Sequence, residues 1–207
     1  MCFRAAIIAC MALLSPALFA QKDIPAWCRV LPRADYKTLT RVPVIDSWFE
    51  VYRVAPGAIA IYEPHQAEET IGYLITGEKQ ALLFDTGVGI GDIRKIVSAL
   101  TRLPVVVLNS HTHADHVGGN WQFETAYGMD TGFTGANARG SREAAQAEIA
   151  PSEICGDLPN GFDAKTYATR PWKIAAYKHD GDRIDLVEHV LRRKGSSDAG
   201  FFRQPQL

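Results

Sequence analysis

The chain has 207 residues, 47% of them hydrophobic and 22% charged, which are values of an ordinary globular protein. Twenty-two Lys and Arg nearly balance 23 Asp and Glu, so the net charge is −1. The composition excludes a largely disordered chain, a collagen and a polytopic membrane protein, and the charge balance gives no bulk electrostatic case for nucleic acid.

The N-terminus stands apart. Residues 5–20 are nearly all apolar behind Arg4, and small residues precede Gln21. That run is short for a spanning helix, which needs about 20 residues. It reads as a secretory signal over residues 1–20, cleaved after Ala20, with an uncleaved anchor as the alternative. The chain is then expected to be exported, periplasmic or secreted, with no stable membrane span after cleavage. Cleavage removes Arg4, leaving 21 basic against 23 acidic residues, a net charge of −2. It also removes Cys2 and Cys10. Cys28 and Cys155 remain, either as one disulfide or as two unpaired thiols.

Residues 21–47 hold three prolines and little periodicity, and read as an irregular lead-in. A single domain is expected over 48–186. Phe49 to Val54, Ala58 to Tyr62, Gly72 to Thr76 and Ala81 to Phe84 read as successive strands, with turn-type breaks at Ala55-Pro56-Gly57 and Gly77-Glu78-Lys79. Ile90 to Leu100 has apolar residues at 93, 96, 97 and 100, a helical spacing. Val105 to Leu108 is a short run of buried-strand type. The order is thus β-β-β-β-α-β, an α/β pattern. Asn137 to Ile149 reads as a helix and 156–170 as loop. Trp172 to Tyr177 and Ile184 onward read as further strands around a turn at His179 to Asp182. Val187 to Leu207 is expected to be a divergent tail, loose from Arg192 onward.

Three of the six histidines sit in one window, His111-Thr112-His113-Ala114-Asp115-His116. The window directly follows the Val105–Leu108 strand, at the kind of strand end where α/β folds build sites. Imidazoles and a carboxylate suit zinc and related first-row metals. His111 and His113, two apart, project to one side of an extended segment, and Asp115 continues that alternation. The arrangement suits two adjacent metal positions better than one.

Leu82-Leu83-Phe84-Asp85-Thr86-Gly87, a helix, a hydrophobic strand and then His-x-His-x-Asp-His together resemble the metallo-β-lactamase superfamily, in order and in spacing. The resemblance covers roughly Trp48 to Leu186. It implies an αβ/βα sandwich, one or two zinc or other divalent ions, and hydrolysis of a small-molecule substrate by a metal-bound hydroxide. By that match His111 and His113 bind a first metal and Asp115 and His116 a second. Asp115 also holds the attacking water, and Asp85 supports the site from behind. The superfamily includes β-lactamases, thioesterases, lactonases, phosphodiesterases and sulfatases, so the motif names a chemistry and not a substrate: an ester, an amide (β-lactams included), a thioester or a phosphoester.

The resemblance also implies a later His in a Gly-His-Thr/Ser-like turn, a bridging Asp and a further His. His179 and His189, the only histidines after the motif, lack that turn and read as surface residues. Asp130, Asp157 and Asp163 have no spacing that favours them as substitutes. The expectation is a sandwich truncated in its second half, and the alternative function is an inactive metal-binding remnant of such a hydrolase. Oligomeric state is open.

Two other motifs point elsewhere. Phe84-Asp85-Thr86-Gly87 resembles an aspartic-protease signature, but such an enzyme needs two paired Asp, and Asp130-Thr131-Gly132 lacks the preceding strand. Gly87, Gly89 and Gly91 open a helix after a strand, as in a dinucleotide loop. Asp92 stands in the third-glycine slot and repels a phosphate, so a turn is the favoured reading. Trp48, Phe49 and Tyr52 are read as core, His65 as a loop residue and Arg192-Arg193-Lys194 as a solvated cluster.

Overall fold

The computed structural model describes residues 24–31, 33, 35, 38–186 and 190–192. The expected signal at 1–20, His189 and most of the tail lie outside the described residues. Eight strands form one sheet in chain order: β1 (Thr40–Val42), β2 (Glu50–Ala55), β3 (Ala58–Tyr62), β4 (Ile71–Thr76), β5 (Ala81–Phe84), β6 (Val105–Leu108), β7 (Ala126–Met129) and β8 (Ile174–Lys178). Neighbours pair antiparallel from β1 to β5 and parallel from β5 to β8. The change falls where helix α1 (Ile93–Leu100) enters, because parallel neighbours need a crossover. This is the α/β architecture that the alternation pattern implies.

Asp92 starts α1 by accepting a hydrogen bond from the N–H of Lys95 at 3.0 Å. Ile93, Ile96 and Val97 then face the sheet and are buried with Val51, Ile61, Leu74, Leu83 and Val107. Leu82, Val106 and Leu108 point to the opposite face, where Ile184 and Leu186 cover them. Those two residues belong to, and follow, β9 (Arg183–Asp185), which pairs antiparallel with β10 (Val190–Arg192). The sheet is therefore covered by helices and loops on one face and by this hairpin region on the other. Among the described residues no helix is long and apolar enough to cross a membrane.

Several short elements depart from the sequence reading. The lead-in contains β1, which pairs Thr40–Val42 with Val51–Arg53 at the sheet edge. The tail contains β10. The window itself turns into a four-residue helix α2 (Ala114–Val117), and the chain beyond it holds β7 and α3 (Gly132–Asn137). The helix expected over 137–149 is divided: α3 ends, Gly140 adopts φ +77°, and Ser141 caps α4 (Arg142–Glu148). Segment 156–170 is loop, as expected.

Cys28 and Cys155 form a disulfide, with Cα atoms 5.6 Å apart. It ties the 3-10 turn Ala26–Val30 to the loop after α4. Trp27 adds an Nε1–H bond to the carbonyl of Ser152 at 2.9 Å. That loop in turn bonds residues 65–67: Cys155 N–H donates to the His65 carbonyl at 2.8 Å and Ala67 N–H to the Glu153 carbonyl at 2.9 Å.

Candidate metal centre

The parallel pairing of β5 with β6 sets Phe84 opposite Leu108, so the residues leaving both strands emerge side by side. Asp85 follows β5, and the histidine window follows β6. Asp85 has φ +64°, a left-handed conformation uncommon for a residue with a Cβ. Gly72 on β4 makes room for it, since a Cβ there would lie 2.7 Å from the Asp85 carbonyl oxygen. The Asp85 carboxylate accepts the N–H of Ser110 at 2.8 Å and meets His116 Nδ1 at 2.9 Å.

His116 is gripped from both sides. Its Nε2 lies 2.9 Å from Asp115 Oδ2, so the ring bridges two carboxylates. Burial works against a charged ring here, but the hydrogen bonds to Asp115 and Asp85 carry the His116 pKa up to about 10. Burial likewise works against the Asp115 carboxylate, yet His116 holds it below its usual range. Two backbone bonds lock the same region: Thr86 N–H donates to the His116 carbonyl at 2.9 Å, and Gly118 N–H to the Gly87 carbonyl at 2.9 Å. Asn120 and Asn109 complete the floor, bonded to each other at 2.8 Å and to Thr86 and the His116 carbonyl.

The other half of the motif faces outward. His111 Nε2 and His113 Nδ1 are 2.9 Å apart, and Ser110 Oγ lies 3.0 Å from His111 Nδ1. Partial burial, with His116 and His113 nearby, lowers the His111 pKa. His113 is exposed, and the ring of Phe133 on α3 meets it edge-on, centroids 5.3 Å apart. Asn137 fixes α3 over the motif through a 3.2 Å bond to Thr112 Oγ1.

One nitrogen each from His111 and His113 and one carboxylate oxygen of Asp115 all lie within 4.8 Å of one another. Two imidazoles and a carboxylate make a donor set that divalent first-row ions accept, and three protein ligands is the number found at catalytic zinc sites. The residues therefore fit one ion. Asp115 touches both of the pairs that resemblance implied, lying near His111 and His113 and 2.9 Å from His116 Nε2. Asp115 joins His111 and His113, whereas His116 turns both nitrogens to Asp85 and Asp115. His65 and His179 lie away from this group, His179 being exposed.

The rival motifs find other uses. Thr131 caps α3, and Asp130 is exposed. Gly89 and Gly118 let two backbones meet: a Cβ on Gly118 would lie 1.9 Å from the Val88 carbonyl oxygen. Asp163 bonds its own loop at Lys165 and Thr166. Trp48, Phe49 and Tyr52 are core.

Residues 72–132 match the model of the metallo-beta-lactamase superfamily. Over that segment the chain is similar to this superfamily. The Acyl-coenzyme A thioesterase MBLAC2 of Homo sapiens is 24% identical over 131 residues, covering 58% of this chain and 47% of its own length. The Bos taurus protein of the same name is 25% identical over 131 residues, with the same coverage. Among solved structures, Rm3 metallo-beta-lactamase is 17% identical with a TM-score of 0.46, over 70% of this chain and 50% of its own. MIM-2 metallo-beta-lactamase is 21% identical with a TM-score of 0.44, over 65% and 47%. The chain spans about half the length of the curated relatives it matches. The superfamily match includes Asp85 and the whole histidine window.

Sequence reasoning missed the groups behind the motif. Glu63 and Trp48 are fully buried, and Glu63 accepts bonds from Trp48 Nε1–H at 2.7 Å and Val88 N–H at 2.8 Å. Burial pushes the Glu63 pKa up to about 7, although both hydrogen bonds pull it down. Glu148 on α4 is half-buried, and burial followed by the Asp115 charge raises it to about 7. A Glu directly after a strand was the one visible sign.

Proposed function

We propose that the chain is an exported, metal-dependent hydrolase of a small-molecule ester, thioester, amide or phosphoester, with zinc as its ion. The observation that carries this reading is the convergence of His111, His113 and Asp115. These three residues would hold the ion. A bound divalent ion supplies Lewis acidity and makes water acidic enough to serve as a nucleophile near neutral pH. The chain's own part is to orient and to move protons. His116, braced by Asp85, holds one oxygen of Asp115 and keeps that carboxylate ionised. Asp115 is thus the group that accepts a proton from attacking water. Phe133, standing over His113, shields one side of the centre from solvent.

The thioesterase name of the curated relatives favours a thioester among the four substrate classes. The Cys28–Cys155 disulfide supports export, because disulfides persist in oxidising compartments. A second reading is a metal-binding protein without turnover. It is favoured by the third imidazole of the window, His116, having both nitrogens engaged by Asp85 and Asp115.

The test is metal content of purified protein together with turnover of a chromogenic thioester, a chromogenic β-lactam and a phosphodiester. Zinc bound at one or two equivalents with hydrolysis of any of the three is the expected result. Zinc bound without turnover selects the second reading, and no zinc uptake removes both.

A further inference from the structure

Asp85 is the brace of the centre, and its own backbone is held in a turn that would not persist unaided. Residues 85–88 contain two left-handed conformations in succession of three, Asp85 at φ +64° and Gly87 at φ +70°. Glycine adopts that conformation freely, but Asp85 keeps it only where surrounding contacts over-determine it. Thr86 and Gly87 are tied to the motif helix through the His116 carbonyl and Gly118 N–H. The last residue, Val88, is tied to the opposite side: its N–H donates to Glu63 Oε2 and its carbonyl accepts from Tyr167 Oη–H.

Glu63 is placed for that single purpose. It is 1% exposed, and its second oxygen is held by Trp48 Nε1–H. Gly87 lies directly beneath the carboxylate, since a Cβ there would come within 2.1 Å of Oε2. A buried carboxylate is costly unless both oxygens are satisfied. Here two N–H donors do so, one from a side chain and one from the turn.

We propose that Glu63 is a positioning residue of the metal centre: through the Val88 N–H it fixes the Asp85–Val88 turn, and thereby the angle at which Asp85 holds His116. The inference is independent of the substrate, and it rests on the metal-centre reading only for its metal-binding arm. Glu63→Gln is the decisive change. A glutamine has one acceptor oxygen, so its amide must face either Trp48 Nε1–H or Val88 N–H, donor against donor. Adding Trp48→Phe removes one donor and lets the remaining oxygen serve Val88.

Two readouts apply to each folded variant. One is Co²⁺ titration of the protein. The other is the imidazole N–H resonance of His116 in metal-free protein, which reports the contact with Asp85. We expect Glu63→Gln to bind Co²⁺ at least tenfold more weakly and to lose the His116 resonance. Trp48→Phe/Glu63→Gln should recover both, to within threefold in affinity. A folded Glu63→Gln with unchanged resonance and affinity within twofold of wild type overturns the inference. So does Trp48→Phe alone reproducing the full loss, which would assign the effect to packing.

If the wild type takes up no Co²⁺, the metal-centre reading fails by itself. The His116 resonance then decides on Glu63: its loss in Glu63→Gln supports the inference and its retention overturns it. Should Glu63→Gln not fold, the double variant carries the test. Folded with the wild-type resonance, it supports the inference; folded without it, or unfolded, it overturns it.

Discussion

The histidine window contains two kinds of site residue. Asp115 and His116 are anchored: His116 spans two carboxylates, its carbonyl accepts from Thr86 and Asn109, and Asp85 behind it is bonded to Ser110. His113 is exposed and His111 half-buried: they touch each other, Ser110 and Phe133, and the His111 ring packs against that of His116. The same short segment therefore supplies a part that the fold has already oriented and a part whose arrangement an ion would complete. Under the proposed function, preorganisation is concentrated where a proton would be handled, and freedom is left where an ion would be captured.

The contrast is most severely tested at Asp115, which belongs to both halves. Asp115→Asn should fold normally by circular dichroism and lose turnover by about 10³-fold, the middle of the range for general acid–base groups. Turnover retained within tenfold would place proton transfer elsewhere. Next in size is Asp85→Ala. It strips the anchored half of its acceptor, leaves Ser110 N–H and His116 without their partner, and should cost about 3–5 kcal/mol in denaturant unfolding.

A pH effect of similar kind belongs to Glu63. Its folded pKa of about 7 stands above its free value of 4.5, so the folded state holds the proton more tightly. The nearby Asp115 charge pushes it up and His116 pulls it down. Stability from this group is fully present below pH 4.5 and is lost as pH rises through about 7. The total is about 3 kcal/mol. Glu63→Gln should flatten that slope in unfolding experiments run from pH 5 to 8. The smallest effect on stability is expected at the open half. His113→Ala should leave metal-free stability within about half a kcal/mol, as for an exposed residue, while weakening zinc binding at least tenfold by calorimetry. A stability loss matching that of Asp85→Ala would erase the distinction between the halves.

The motif itself was legible because its ligands are contiguous and follow a buried strand. Strands β2 to β6 were legible as apolar runs between Gly- or Pro-containing breaks, the four-residue β5 and β6 included. The break at Gly140-Ser141 was also written in the chain, as a helix stop followed by a cap, but the apolar spacing on either side hid it. β1, β7 and β10 have three or four residues each, too few to show a period, and β7 depends on Gly128 letting Thr134 and Ile174 approach. Glu63 was hidden for a different reason. Its role exists only once Trp48, Gly87 and Val88 enclose it, and those contacts join positions 15 to 25 residues away. Asp115 was assigned to the His116 side by resemblance, and it does contact His116, but its approach to His111 and His113 as well appears only once α2 turns the chain.

The disulfide sets an order of events in biosynthesis. Cys28 leaves the ribosome 127 residues ahead of Cys155, so its thiol waits through most of the domain before its partner exists. During that interval the cysteines nearest in sequence are Cys2 and Cys10. Short loops close faster than long ones, so those two are the natural wrong partners. If residues 1–20 are removed before Cys155 arrives, both competitors are gone and Cys155 is the one thiol left for Cys28.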